Sequence, residues 1–294
     1  MKDIALIGVT ALLSCGIAMA QSSGNFTYGN TGTTHCVLNS NGTITGGTTC
    51  SAGTCATAAD CAALGGAEIC ANINPATGLG ICERTCSTSA DCATGQTCSA
   101  GVCTGGCVGS LNSAIKTNSG SGNVFVVRPS AVIGLLTDVS LQKNATLSVG
   151  TSSALAGVDF SVVATGINGQ HQPCITPNFN VTYAARFIQI SSNLFDVLGT
   201  TCTTLNANTG AVGCFFNFNE STVSAQSFDW IVGSPAAANL QPPGCVALSS
   251  GEYGITANWA ASLGNTGIAQ SLTCVGPVNL TVQQNKIYHF DTVN

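Results

Sequence analysis

Val158-Asp159-Phe160-Ser161-Val162-Val163-Ala164-Thr165 decides the fold. In an extended chain Val158, Phe160, Val162 and Ala164 point one way, and Asp159, Ser161, Val163 and Thr165 the other. A helix would scatter the same apolar residues around its axis. A strand gathers them on one face, and that face must be buried. The pattern recurs where Tyr253, Ile255, Ala257 and Trp259 alternate with Gly254, Thr256 and Asn258. It recurs again in Val278, Leu280 and Val282 against Asn279 and Thr281, and in Phe216 and Phe218 against Asn217 and Asn219. Phe228, Trp230 and Val232 mark a short strand, and further strands are predicted at Val124–Arg128, Leu135–Leu141 and Phe187–Ile190. One helical segment is predicted at Ser192–Leu198, capped by Ser191 or Ser192 and stopped by Gly199. Residues 123–294 therefore read as an antiparallel β-sandwich of immunoglobulin-like or jelly-roll type, and the chain as mainly β.

Upstream, the character of the chain changes. Eleven of its 17 cysteines lie between Cys36 and Cys107. One unit runs Cys86-STSAD-Cys92-ATGQT-Cys98-SAGV-Cys103. An earlier one opens in the same way, Cys55-ATAAD-Cys61, and continues to Cys70 and Cys82. Further upstream, Thr48-Thr49-Cys50-Ser51-Ala52-Gly53-Thr54-Cys55 echoes the ending Gln96-Thr97-Cys98-Ser99-Ala100-Gly101-Val102-Cys103. Residues 36–107 are thus a small disulfide-rich repeat module. Between Cys86 and Cys103 the largest apolar side chain is Val102, so burial cannot offset the chain entropy and crosslinks must. Ser-Ala-Gly between cysteines suits a tight turn, with Gly53 and Gly101 at positive φ. Asp60 and Asp91 are expected to cap local backbone N–H groups. No C-x2-C half-site for zinc occurs anywhere in the chain, so no metal is assigned.

The Cys86, Asp91-Cys92, Gly95 and Cys98 pattern resembles the small cysteine-rich repeat of the Dickkopf N-terminal type. The likeness covers about 20 residues well and about 50 loosely across Cys55–Cys103. It lacks that family's basic residues and adjacent cysteine pair. The resemblance implies an extracellular disulfide module that contacts proteins.

Taken in order, residues 1–20 read as a secretory signal peptide: Lys2, an apolar Ile4–Leu13, and Ala18-Met19-Ala20 as the cleavage site. The alternative is a lipoprotein anchored through Cys15, since Leu12-Leu13-Ser14-Cys15 resembles a lipobox. Residues 21–35 are expected to be a flexible leader and 108–122 a Gly/Ser linker. Without Cys15, sixteen cysteines remain as disulfide candidates: Cys36, Cys50, Cys55, Cys61, Cys70, Cys82, Cys86, Cys92, Cys98, Cys103, Cys107, Cys174, Cys202, Cys214, Cys245 and Cys274. The odd eleven in the module imply at least one bridge to the β domain, unless a thiol stays free, with Cys107 as the candidate. Cys202 and Cys214 would staple the loop between them, leaving Cys174, Cys245 and Cys274 for each other and Cys107.

Composition narrows the function. Charged residues are 6% of the chain and the formal charge is −5 without a basic run, which argues against nucleic acid as a partner. His35, His171 and His289 have no ligand spacing. No G-x-S-x-G elbow, calcium loop or phosphate-cradling loop occurs, and no pair is marked out among Asp138, Asp159, Asp196, Asp229, Glu220 and Glu252. Catalytic residues, cofactors and metals are therefore assigned none. Sequons stand at Asn25, Asn41, Asn144, Asn180, Asn219 and Asn279, at about the frequency chance would give. Trp230, Trp259, Tyr183 and Tyr253 are assigned to the core rather than to a sugar-stacking face. The expected function is that of a secreted, non-catalytic binding protein meeting an extracellular protein or glycan, with no transmembrane segment after signal cleavage. Its rivals are a ligand or inhibitor acting through the module, a self-associating structural subunit, and a hydrolase with a site in the β domain.

Overall fold

The computed structural model describes residues 25–32, 35–55, 57–64, 68–75, 78–92, 96–104, 108–117, 122–143, 151–191, 193–194, 214–234 and 244–286. Its strands, in chain order, are β1 (Phe26–Asn30), β2 (Cys36–Leu38), β3 (Ile44–Gly46), β4 (Thr48–Cys55), β5 (Glu68–Asn74), β6 (Leu79–Arg84), β7 (Thr97–Ser99) and β8 (Val102–Thr104). They continue with β9 (Val108–Thr117), β10 (Asn123–Lys143), β11 (Thr151–Ile167), β12 (Ile175–Thr176), β13 (Val181–Ser191), β14 (Cys214–Ser227), β15 (Trp230–Val232), β16 (Gly251–Thr266) and β17 (Ile268–Lys286). The fold is mainly β, as the alternation requires.

Two antiparallel sheets pack face to face. A four-stranded sheet has the order β13-β11-β16-β9, and a nine-stranded sheet runs β12-β15-β10-β17-β4-β6-β5, with β14 beside β10 and β1 beside β17. The expected inward phases hold: Val158, Phe160, Val162 and Ala164 meet Val278, Leu280 and Val282 in one core, together with Tyr253, Ile255, Ala257 and Trp259. Trp230 and Tyr253 are fully buried, and Phe160 lies between Tyr183 and Trp259, with ring centroids 4.2 and 5.7 Å away. Each such side chain contributes about 1.5–3 kcal/mol by leaving water.

The two central strands change neighbours part-way. β10 pairs with β15 through Phe125–Val127 and with β14 from Ser130 onward. β17 pairs with β4 through Ala269–Val275 and with β1 from Asn279 onward. Pro129 and Pro277 sit at these two handovers. A proline has no N–H for a ladder, so it is tolerated where one partner has ended and the next has not begun. This is also why Val124–Arg128 and Leu135–Leu141, expected as separate strands, are one 21-residue strand.

The cysteine-rich residues form a third layer and part of the second. Leu136, Leu272 and Cys274 on the outer face of the nine-stranded sheet are covered by Cys36, Ile44, Cys55, Cys61 and Cys82. β4 pairs with β17 over seven residues, and β6 and β5 carry the same sheet to its edge. Three expectations are corrected here. The leader contains β1, held on β17. The linker contains β9, which forms the edge of the four-stranded sheet against β16. Gly109 and Ser113 dilute its alternation, hiding Leu111 and Ile115 among small residues. Gly53 is not at a turn but within β4, because β17 supplies ladder partners that a local hairpin would forgo. Of the predicted helix at 192–198, Asn193 and Leu194 are described and helical, and the rest lies outside the described residues.

The two disulfide units share one plan. Cys70 faces Cys82 across β5 and β6, and Cys98 faces Cys103 across β7 and β8. Neither facing pair is bonded. Each of these cysteines instead reaches back to an earlier one, giving Cys55–Cys70, Cys61–Cys82, Cys86–Cys98 and Cys92–Cys103. First bonds third and second bonds fourth in both units. The aspartates cap as expected. Asp60 accepts from the Thr57 N–H at 2.7 Å, while Asp91 accepts from the Ser87 and Thr88 N–H groups at 2.8 and 2.9 Å. Those backbone bonds hold the Asp91 carboxyl below its ordinary range. Among the described residues, Cys36–Cys274 is a bridge between the module and the β domain of the kind the odd count implies, and Cys174 bonds Cys245. The candidate for that bridge, Cys107, lies outside the described residues, as do Cys202 and the side chain of Cys214. Cys50 is disulfide-bonded as well.

Candidate ligand groove on the four-stranded sheet

The outer face of the four-stranded sheet is hollowed along β16. A groove of about 540 Å³ is lined by Val108, Gly109 and Ser110 from β9, Asp159 and Ser161 from β11, Asn258, Trp259 and Ala260 from β16, and Asn180 from the loop before β13. It follows the ladder: Ser161 stands opposite Asn258, and Asn258 opposite Ser110. A second hollow of about 430 Å³, lined in part by Asn112, Gly254 and Thr256, lies further along the same strands.

Two local departures from regular sheet shape this groove. Between β11 and β13 the register shifts, so that Val158 faces Ala184 but Asp159 faces Thr182. The extra residue, Tyr183, turns inward onto Phe160, and its hydroxyl donates to the Pro129 carbonyl at 2.7 Å. Burial pushes that phenol's pKa up. A bulge of this kind re-aims neighbouring side chains, and here it sets Thr182 beside Asp159. The second departure is Gly109, opposite Trp259: a Cβ there would collide with the indole. Glycine thus lets the core tryptophan pack directly on the backbone of β9 beneath the groove.

Asp159 is held by two hydroxyl donors, Thr182 Oγ1 at 2.5 Å and Ser262 Oγ at 2.7 Å. A carboxylate has about four lone-pair directions, so acceptor capacity is left for a ligand. Asn180, Asn258, Ser110 and Ser161 supply groups that donate and accept. The arrangement can exchange hydrogen bonds with hydroxyl groups beside the apolar Val108 and Ala260. Among the described lining residues Asp159 is the single acid.

The other acids weighed in the sequence are engaged elsewhere. Asp229 takes a bidentate pair from Arg128 at 2.5 and 2.6 Å. Glu220 pairs with Arg186 at 3.4 Å and Glu252 with Lys116 at 3.9 Å. Asp138 receives the amides of Asn217 and Asn219; burial nonetheless pushes its carboxyl up, and the nearby Asp60 adds to the effect. Asp196 and His289 lie outside the described residues, and His35 and His171 are exposed and far apart in the chain. The sulfurs of Cys55, Cys61 and Cys82 lie close together, as do those of Cys86, Cys92 and Cys103, but every one is in a disulfide.

Of the sequons, Asn144 lies outside the described residues. Asn25 donates to the Lys116 carbonyl and Asn279 accepts from Asn30. Asn41 stands exposed at the tip between β2 and β3, accepting from the Thr43 N–H at 3.1 Å. Asn180 is on the groove rim, and Asn219 is bound to Asp138. Trp230, Tyr253, Tyr183 and Trp259 are core residues. Sequence reasoning missed the groove because it depends on a bulge and on one glycine. The available signal was a lone acid, Asp159, on the polar phase of a strand otherwise bearing Ser, Val and Thr there.

Compared with known protein families and with curated proteins, the chain matches none. Among the described residues no helix is long and apolar enough to cross a membrane.

Proposed function

We propose that this chain is a secreted, non-catalytic binding protein that takes an uncharged glycan of a cell surface or matrix in the groove on its four-stranded sheet. The observation that carries this is the convergence of Asp159, Asn258, Asn180, Ser161 and Ser110 in one groove beside the apolar Val108 and Ala260. A sugar hydroxyl both donates and accepts, and its ring presents an apolar C–H face. The groove offers amides and hydroxyls for the first, and the apolar surface of Val108 and Ala260 for the second. The oxidised cysteine units support an extracellular setting, since disulfides persist where the surroundings are oxidising.

The test uses the intact oxidised chain, because β4, β5 and β6 of the cysteine-rich region are strands of the sandwich itself. On an array of neutral, acidic and basic glycans the protein should bind neutral members saturably. Asp159→Ala should weaken that binding by about tenfold or more, as loss of a hydrogen bond to a charged group does. Unchanged binding in both Asp159→Ala and Asn258→Ala, or no binding to any neutral glycan, would sink the reading.

A further inference from the structure

The opposite side of the sandwich carries aromatic rings that the core does not use. Phe26 and Tyr28 lie on the outer phase of β1 and are 60% and 72% exposed. Their centroids are 6.4 Å apart and their planes differ by 29°, so they form one shallow shelf. The shelf is held rigidly. β1 pairs with β17 along its whole length, Thr27 Oγ1 lies 2.7 Å from Ser113 Oγ, and Gly29 packs on Leu111. Strand register sets Phe26 beside Gln283 and Tyr28 beside Thr281, with Asn30 bonded to Asn279. Arg128, next in the ladder beyond Thr281, is neutralised by Asp229.

Two adjacent exposed rings on a fixed strand form one contiguous apolar patch rather than scattered apolar exposure. The surroundings select the occupant. Amides and hydroxyls border the rings, and the flanking ion pair is internally satisfied, so the face offers no net charge to an ionic partner. Its complement is a flat, uncharged molecule with C–H groups on its faces and hydroxyls around its rim. The negative faces of the two rings attract such C–H groups, and Thr281, Gln283 and Asn279 can meet the equatorial hydroxyls. We propose that the outer face of the nine-stranded sheet is a second, independent sugar-stacking site, centred on Phe26 and Tyr28, for an uncharged polysaccharide chain. It deepens the glycan-binding reading, and with the groove on the opposite sheet it makes one molecule bivalent. Two sites facing away from each other cannot close on one short ligand; they join separate chains.

The probes are insoluble cellulose, chitin and xylan for pull-down, and soluble hydroxyethylcellulose for turbidity. Phe26→Ala/Tyr28→Ala changes exposed side chains, and an unaltered unfolding midpoint confirms the fold. The double variant should bind the insoluble chains at least about tenfold more weakly, while Tyr28→Trp should bind as well as the parent or better. Wild-type protein should raise turbidity with the soluble polymer, and the double variant should not. Equal pull-down by parent and double variant overturns the proposal. So does a loss, in the double variant, of binding to an extracellular protein with polysaccharide binding intact. Failure of the groove reading is separate: Asp159→Ala would then change nothing, while Phe26→Ala/Tyr28→Ala would still lower pull-down.

Discussion

Thr49-Cys50-Ser51-Ala52-Gly53-Thr54-Cys55 and Thr97-Cys98-Ser99-Ala100-Gly101-Val102-Cys103 differ at a single position, yet the first is a straight strand and the second a hairpin. In the second, Ala100 and Gly101 take φ of 52° and 85°, which a two-residue turn between twisted strands requires. In the first, the same Ala-Gly lies extended between Ser271 and Gln270 of β17. The turn is the local preference; the strand is what a long neighbour imposes. The partner's hydrogen bonds outweigh a turn that six identical residues would otherwise form. The glycines confirm it. A Cβ on Gly53 would lie 2.9 Å from Cys82 Sγ and 3.1 Å from Gln270 Cγ, whereas one on Gly101 would meet nothing within 4 Å. One glycine is kept for space, the other for its backbone angle.

Breaking crosslinks should separate the two regions most sharply. Removing Cys36–Cys274, which spans 238 residues, should cost about 5 kcal/mol by chain entropy and lower the denaturation midpoint of the whole sandwich. Removing Cys86–Cys98, which spans 12, should cost about 3 kcal/mol and leave that midpoint in place. Its loss should instead appear as rapid amide exchange confined to residues 86–104. Equal effects on the global midpoint would mean that the second unit is as integrated as the first.

The glycines come next. Gly53→Ala should destabilise the sandwich by about 1–3 kcal/mol through overpacking against Cys82. Gly101→Ala should cost about 1–2 kcal/mol of strain within the hairpin alone, and Gly101→Asn less, because asparagine accepts positive φ. Denaturant midpoints read the first, and local exchange the second.

The smallest effect is one of sign. Asp91 is held below its ordinary range, so its contribution is present above about pH 4 and is lost as pH falls through the lowered value. Asp138, beneath the first unit, is pushed above its range. Its contribution is full below about pH 4 and is lost as pH rises through the raised value. Acidification should therefore lower the amide protection factors at Ser87 and Thr88 while raising them along β10 near Asp138. Asp138→Asn should raise the neutral-pH midpoint and flatten its dependence on pH. A shift of both regions in one direction would contradict the assignment.

What was legible in the sequence follows the range of the forces involved. Val158–Ala164, Tyr253–Trp259 and Val278–Val282 announce their buried faces because alternation is a local signal that burial enforces directly. The paired repeats and their capping aspartates were legible because a turn and a carboxylate act within a few residues. β1, β4 and β9 were not, since each owes its extended form to a partner far along the chain: β17 for the first two, β16 for the third. The groove was hidden for the same reason. Asp159 acquires its neighbours only when a bulge on β13 and a missing side chain at Gly109 are placed beside it. The bridge from Cys36 to Cys274 was implied by parity, but parity names no partner.

That bridge also sets how the molecule carries load. It joins the start of β2 to the middle of β17, so tension applied across the chain first meets the β1–β17 ladder and then passes into one covalent bond. The 238 residues it spans, on the order of 800 Å of extended chain, cannot be drawn out while the bond is intact. Once that ladder has parted, the molecule is a short inextensible link, and reduction of that disulfide lengthens it by the chain that the inner bridges, Cys174–Cys245 among them, do not still hold in loops.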